Sequence, residues 1–463
     1  MKERVILFTI FFGLGVFIYI FQSYFNTVWG LAFLCTLMAV YALFSTLAYK
    51  IKSRKLLKYP PVINHDYKPL VTVMIPAHDE EGVIAGTVEN ILSMDYENFE
   101  IIVIDDRSTD NTASVIKDLE SRHAKVTAFI REKDAFPGKS AVLNDAFKIA
   151  KGEAILVFDA DATVGPDFLT KLVPNLEPED VGAVQARKII RNKDYNFLTR
   201  CQNNEYTMDT HFQICRDSVK GAVELRGNGE LIKRKALEDI NGWNNETITD
   251  DLDMSTRLHI KGWDVRFCMD AVVYEEGIIY IYPLFRQRRR WLEGTIRRYL
   301  EYSGDALTSR KMSLRASVDM FAYISEFIMP LWLVMEIGIR GFKVLARDAS
   351  PHMLYSSLII GCVIGIGFLL AARYSLRRYD HLSRIEALKQ ACATSVYLLV
   401  VWFPLVMFIC AKILFCRKDM NWGKTAHGLV IEEEEHLAAK AKRITRQVVN
   451  KMKEEALSLG GRK

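Results

Sequence analysis

The sequence predicts an α/β domain, a mostly parallel sheet with helices on both faces, inserted between membrane-spanning helices. Three observations predict it. Asp, Glu, Lys and Arg are absent from residues 5–49. Three further apolar runs, at 318–339, 353–372 and 391–411, lie towards the other end. Between the two groups, short β-branched runs alternate with helix-favouring stretches, the pattern of strands joined by crossover helices.

The membrane elements come first. A span needs about 20 apolar residues, so residues 5–49 hold two, with "QSYFN" at 22–26 as the turn. A cleaved leader fits poorly, because a second long apolar run follows at once. The basic flanks "MKER" and "YKIKSRKLLK" (49–58) enclose a loop without Lys or Arg. By the positive-inside bias both flanks, and the domain after them, are cytoplasmic. "RYSLRRYDHLSR" (373–384) reads the same way. One more full crossing would put the tail outside, although its basic residues ask for the inside. Pro404 within the last run offers a re-entrant or broken element, and the tail is placed in the cytoplasm. The expected organisation is two spans (1–50), the α/β domain (51–282), amphipathic interface helices (283–315), a membrane region of about three spans (316–415) and a charged tail (416–463).

Within the domain, "LVTVMIPA" (70–77) reads as a buried strand and 80–92 as a helix. "EIIVIDD" (100–106) is a second strand ending in acids, and "STDNTASVIKDL" opens a helix with several capping residues. "KVTAFI" (125–130) is a third strand, residues 138–150 a helix, and "AILVFDADA" (154–162) a fourth strand. Ligands of such sheets bind beyond the carboxyl ends of the strands, where Asp105, Asp106, Asp159 and Asp161 fall. Acids held that close ask for a cation. Neither GxGxxG nor GxxxxGK[ST] is present, which excludes a dinucleotide dehydrogenase and a P-loop NTPase. Eight scattered cysteines without a CxxC pair argue against structural zinc and a disulfide framework. The formal net charge of +5 owes much to juxtamembrane lysines and calls for no nucleic acid.

Four stretches carry chemistry. "DAD" at Asp159 and Asp161 offers two carboxylates to Mg²⁺ or Mn²⁺, which would also bind a diphosphate. "TDDLD" puts Asp250, Asp251 and Asp253 at a helix start, where acids are favoured by the macrodipole. The alternative there is a general base whose pKa is raised by its neighbours. Lys139, after Pro-Gly at a helix start, could reach a phosphate. "FRQRRRWLEGTIRRY" (285–299) holds six arginines. On a helix Gln287, Arg290 and Trp291 share one face, and Arg289 can pair with Glu293. Arg286, Arg297 and Arg298 are candidates for lipid headgroups. Asp319, Glu326 and Glu336 fall in or beside an apolar run, Asp319 at the interface and the glutamates as candidates for a polar acceptor groove.

Taken in order, these motifs resemble those of the membrane-embedded family 2 glycosyltransferases, which include cellulose, chitin, hyaluronan and poly-N-acetylglucosamine synthases and certain glycolipid synthases. The family's D, DxD, TED and QxxRW read here as Asp106, "DAD" 159–161, "TDD" 249–251 and "QRRRW" 287–291. The resemblance implies a GT-A fold, a Rossmann-like mixed sheet, and metal-dependent inverting transfer from a UDP-sugar. It implies uridine and diphosphate contacts from Ala77, Glu80, Asp106, Lys139, Asp159 and Arg290, a metal on Asp161, and Asp251 as the base. Asp250, Gln287, Trp291, Gly227 and Asn228 would border the donor or acceptor sugar. One departure is Asp250, where the family has glutamate.

The first functional reading is a processive synthase of a β-linked polysaccharide of glucose or N-acetylglucosamine, exported through the membrane. The alternative is transfer of one sugar to a lipid such as diacylglycerol, because "QRRRWLEGTIRRYLEY" is similar to bacterial glucosyl-lipid synthases. The expected partners are a UDP-sugar, a polysaccharide or lipid acceptor and membrane lipid, at the cell membrane with the catalytic domain inside. A membrane-anchored nucleic-acid-binding protein would leave the acids at the strand ends unexplained.

Overall fold

The computed structural model describes residues 2–416 except 22, 23, 25, 26, 60–63, 65 and 348–351, with backbone only at 2, 324–326 and 352–354. The tail after Cys416, the Glu326 side chain and most of the 22–26 turn therefore lie outside the described residues. In chain order the elements are α1 (Lys2–Phe21), α2 (Val28–Lys58), β1 (Val71–Ala77), α3 (Ile84–Leu92), β2 (Phe99–Asp105), α4 (Thr112–Arg122), β3 (Val126–Ile130), α5 (Lys139–Phe147), β4 (Ala154–Val157), β5 (Thr163–Val164) and α6 (Phe168–Leu172). Then follow β6 (Val181–Ile190), α7 (Phe197–Ser218), β7 (Glu230–Lys233), α8 (Arg234–Asp239), α9 (Asp250–Lys261), β8 (Asp264–Glu275), α10 (Ile281–Thr308), α11 (Leu314–Leu345), α12 (His352–Tyr379) and α13 (Arg384–Phe415).

The strands form one sheet in the order β3-β2-β1-β4-β7-β6-β8-β5. β1 to β4 are parallel; β7 runs antiparallel to β4 and β6, and β5 to β8. This is the mixed, mostly parallel sheet the sequence predicts. Every residue of β1 is buried, as a strand covered on both faces requires. Ile84, Ile116 and Phe168 from α3, α4 and α6 cover one face. Val142, Leu237 and Met254 from α5, α8 and α9 cover the other. Each large apolar side chain so buried contributes roughly 2 kcal/mol relative to exposure.

Four helices run between the domain and a far end. Near the domain, Asp319 of α11 is fully buried and accepts from Arg216 Nε (2.6 Å) and the Ala222 amide (2.8 Å). A Cβ on Gly221 would lie 2.8 Å from Asp319 Cγ, so glycine permits this contact. Lys52 of α2 reaches Asp217 at 2.8 Å. Asp319, expected at the interface, is an internal anchor between α11 and the domain. At the far end Thr27 Oγ1 donates to Glu336 Oε1 (2.6 Å) and Arg340 Nε to Glu336 Oε2 (2.6 Å). Trp332 Nε1 also donates to Glu336. Glu336 thus locks α11 to the α1–α2 turn and does not line a groove, because its oxygens are already engaged. α12 returns to the domain, where the Tyr379 hydroxyl lies 3.0 Å from His211 Nδ1.

α13 behaves differently. Near its start, Thr394 Oγ1 accepts from Asn204 Nδ2 of α7 (2.9 Å). Near its end, Lys412 Nζ donates to Glu293 Oε2 of α10 (2.6 Å), and the Arg4 guanidinium donates to the Cys416 carbonyl. One part meets α7 of the α/β domain, the other meets α10 and the start of α1, and the helix runs through Pro404 unbroken. Five helices are long and apolar enough to cross a membrane by length and composition. The contacts of the fifth, α13, hold it to α7 towards its start and to α10 and α1 at its end.

Candidate active site

The acids predicted at the strand ends do gather at one edge of the sheet. Asp105 closes β2 and Asp106 follows it; its amide donates to the Ala77 carbonyl (2.8 Å) at the end of β1. Asp106 is fully buried, with Arg107 Nε (2.8 Å) and Arg131 Nη1 (2.6 Å) both on Oδ1. The β1–α3 and β2–α4 loops are stitched together: Thr109 N donates to Asp79 Oδ1 (2.6 Å) and Glu80 N to Thr112 Oγ1 (2.8 Å). Ala77, Glu80 and Asp106 are thereby neighbours at the first two strand ends.

A second group forms around residues 226–230. Lys139, the first residue of α5, donates to Asp159 Oδ1 (2.7 Å) and to the Gly227 carbonyl (3.0 Å). Asn228 Oδ1 accepts from the Asp159 amide (3.3 Å), and Asn228 Nδ2 donates to Glu275 Oε2 (3.3 Å). Buried Gln185 of β6 holds the loop from beneath, accepting from Arg226 N (2.7 Å) and donating to Asn228 O (2.9 Å). Gly227 has φ +77°, and a Cβ on it would sit 3.2 Å from Asp251 Oδ2. Asp251 lies in the first turn of α9, where Oδ1 accepts from Leu252 N (2.8 Å). Lys139, Asp159, Gly227, Asn228 and Asp251, far apart in the chain, converge here.

The electrostatics follow from burial and crowding. Burial, then the Asp250 charge, push the Asp251 carboxyl up to about 6. Burial would lower the Lys139 ammonium, but Asp159, Asp250 and Glu230 outweigh it and hold its pKa above the usual lysine range. Glu230, at the start of β7, is fully buried, and neither of its oxygens has a hydrogen-bond partner among the described residues. Burial, then Asp250 and Asp251, push it far above the carboxylate range.

Asp161 is buried and accepts from the Glu276 amide on Oδ2 (3.0 Å), while the Asp159 side chain is 41 % exposed with one oxygen on Lys139. Among the described residues no group of three or more His, Cys, Asp or Glu could hold a metal ion. The chain thus offers two hard carboxylates one residue apart. That suits a Mg²⁺ or Mn²⁺ that completes its shell with diphosphate oxygens and water.

α10 carries "QRRRW" and packs against the Asp250–Asp251 turn: a Cβ on Gly294 would fall 2.4 Å from Thr249 Cγ2. Lys188 links the second group to α10, donating to Arg226 O (3.2 Å), pairing with Glu275 (2.9 Å) and lying 5.8 Å from the Trp291 ring centroid. Arg288 is fully buried and stacks on Trp291 at 4.2 Å, while the Gln287 side chain accepts from it. Arg290 is half-buried and Arg286 and Arg289 are exposed. Three expectations are corrected. Glu293 pairs with Arg297 (3.0 Å) and Lys412, not with Arg289, because its face of α10 turns inward. Arg297 is buried and bound to Glu293 and Glu3, and Arg298 is buried and bound to Glu224 (2.8 Å), so neither is available to lipid.

Sequence reading missed Lys188, Gln185, Glu275 and Arg288, whose roles come from strand register and helix phase. Glu230 lies inside the "RGNGELIKR" segment, and an acid opening an apolar strand was the available signal.

Comparison with known proteins follows the same lines. Residues 68–294 match the family described as "Glycosyltransferase like family 2". The chain is 35 % identical over 371 residues to a beta-monoglucosyldiacylglycerol synthase of Nostoc sp., covering 78 % of this chain and 76 % of that protein. The chain belongs to glycosyltransferase family 2. A second such synthase, from Synechocystis sp., is 32 % identical over 81 % of this chain and 79 % of its own. A poly-beta-1,6-N-acetyl-D-glucosamine synthase of Staphylococcus epidermidis is 26 % identical over 68 % of this chain and 75 % of its own. A mannosyltransferase of Pyrobaculum calidifontis, solved in complex with GDP-Man and Mn²⁺, superposes with a TM-score of 0.55 at 21 % identity, covering 79 % of this chain and 99 % of that one. In this family 2 glycosyltransferase, the converging acids and Lys139 form the candidate transfer site.

Proposed function

We propose that this glycosyltransferase moves a single sugar from a UDP-sugar to a lipid acceptor of the diacylglycerol class, with inversion at the anomeric carbon. The observation that carries the acceptor is the likeness to beta-monoglucosyldiacylglycerol synthases, which spans 78 % of the chain. The polymer reading, first choice from sequence, rests on the more distant poly-N-acetylglucosamine synthase. The domain faces the cytoplasm, and the acceptor comes from the membrane beside α10.

Asp251 accepts the proton of the acceptor hydroxyl as that oxygen attacks the anomeric carbon, and the bond to the UDP oxygen breaks. A carboxyl near 6 is mostly ionised at neutral pH yet more basic than a free aspartate. Lys139 is poised to contact the departing diphosphate from the N-terminus of α5. Asp159 and Asp161 would hold Mg²⁺ or Mn²⁺, which supplies positive charge to the leaving group. Ala77, Glu80 and Asp106 bound the uridine end, Arg290 lies on the diphosphate side, and Gln287 and Trp291 offer a platform for the acceptor. Membranes given labelled UDP-glucose and dioleoylglycerol should yield organic-soluble product, absent in Asp251→Asn while UDP binding persists. Label in insoluble polymer would reverse the choice of acceptor, and wild-type transfer by the Asn variant would remove Asp251 as base.

A further inference from the structure

Arg288 is the most deeply buried arginine of "QRRRW", and its charge needs a partner inside the protein. That partner is Glu205 of α7, whose Oε2 accepts from Arg288 Nη2 (2.9 Å) and Nε (3.3 Å). The same carboxylate accepts from two residues of α13: the Tyr397 hydroxyl on Oε2 (3.2 Å) and Trp402 Nε1 on Oε1 (3.1 Å). The Arg288 guanidinium in turn lies over the Trp291 ring, 4.2 Å from its centroid. One carboxylate therefore links a membrane-region helix, a buried guanidinium and the aromatic ring at the edge of the site.

We propose that Glu205 is a positioning residue for the lipid acceptor, fixing the Trp291 ring through Arg288 and tying that ring to α13. The inference rests on the proposed role of Trp291 as acceptor platform. A cation held against an aromatic face is directional only while its own hydrogen bonds are fixed, and Glu205 fixes them. α13 supplies the remaining two donors from its apolar stretch. Acceptor arriving from the lipid phase thus meets a ring on α10 whose orientation is set by its apolar neighbour α13. The donor half of the site, around Lys139, Asp159 and Asp106, shares no residue with this chain of contacts.

The test separates acceptor from donor. Purified full-length enzyme in mixed micelles is assayed with dioleoylglycerol at varied surface fraction and, separately, with varied UDP-glucose. Trp402→Phe with Tyr397→Phe removes two donors while keeping an aromatic ring at each position, so the acceptor KM should rise about fivefold to tenfold with the donor KM within about twofold. Glu205→Gln should do the same more strongly. UDP binding and the thermal transition report whether each variant is folded, and the gentler α13 variant stands if Glu205→Gln does not fold. An unmoved acceptor KM in the folded α13 variant, or equal movement of both KM values, overturns the proposal. Trp291→Phe separates the two ideas. If it too leaves the acceptor KM unmoved, the platform reading fails. If it raises that KM while the α13 variant does not, the Glu205 inference alone fails.

Discussion

Gly227 stands against Asp251 so closely that a Cβ would lie 3.2 Å from Oδ2, at a backbone φ of +77° that L side chains rarely adopt. Gly227→Ala therefore strains the loop, by roughly 1–3 kcal/mol, and pushes on the base itself. Transfer should fall at least tenfold, by about the cost of a misplaced reacting group. UDP binding, measured by calorimetry, should weaken less than transfer, since Ala77 and Asp106 lie at the ends of other strands and, of the proposed UDP contacts, only Lys139 touches the Gly227 carbonyl.

The pH profile follows from the same carboxyl. Asp251 must be ionised to take a proton, so kcat/KM should rise with pH through about 6 and level off above. Burial is the larger cause of the shift and Asp250 the second. Asp250→Asn removes the second alone, so the acid limb should move down without reaching that of a free aspartate. A limb that stays in place would show that Asp250 does not act on the base.

Glu230 offers a stability test. Both oxygens are buried and unpartnered among the described residues, and such a group costs about 1–3 kcal/mol. Glu230→Met, similar in size and apolar, should raise the thermal transition of the detergent-solubilised enzyme by several degrees. A transition lowered by as much would mean that the carboxyl gains a partner in solution.

Asp319 and Arg216 make the opposite prediction. Asp319→Ala leaves Arg216 buried with less compensation, at a cost of about 3–5 kcal/mol. Expression in membranes should drop sharply. Replacing both, Arg216→Met with Asp319→Leu, should recover much of it, since an apolar pair needs no counter-charge.

The sheet was legible because buried strands write continuous apolar runs. Four of the predicted strands lie within a residue or two of β1 to β3 and the start of β4. "AILVFDADA" extends too far, because the pairing register with β1 and β7 ends at Val157 and the chain turns to place Asp159 and Asp161. The short antiparallel strands β5 and β7 carried no period to read. At the site, the motif acids were visible as types, and the structure adds that residues 226–230 gather against Asp159, Asp251 and Lys139. On α10 the sequence spacing puts Gln287, Arg290 and Trp291 on one face, and the structure adds Arg288, which packing turns inward to Glu205 of α7. Arg297 and Arg298 looked like lipid contacts since their partners, Glu3, Glu293 and Glu224, are brought in by tertiary structure alone.

The attachment of α13 to the domain at both ends sets an expected parity for the chain. With α1, α2, α11 and α12 as the crossings, we predict an even count. A reporter enzyme fused after Cys416 should then be active in the same compartment as one fused before Lys2, whereas an odd count would separate them.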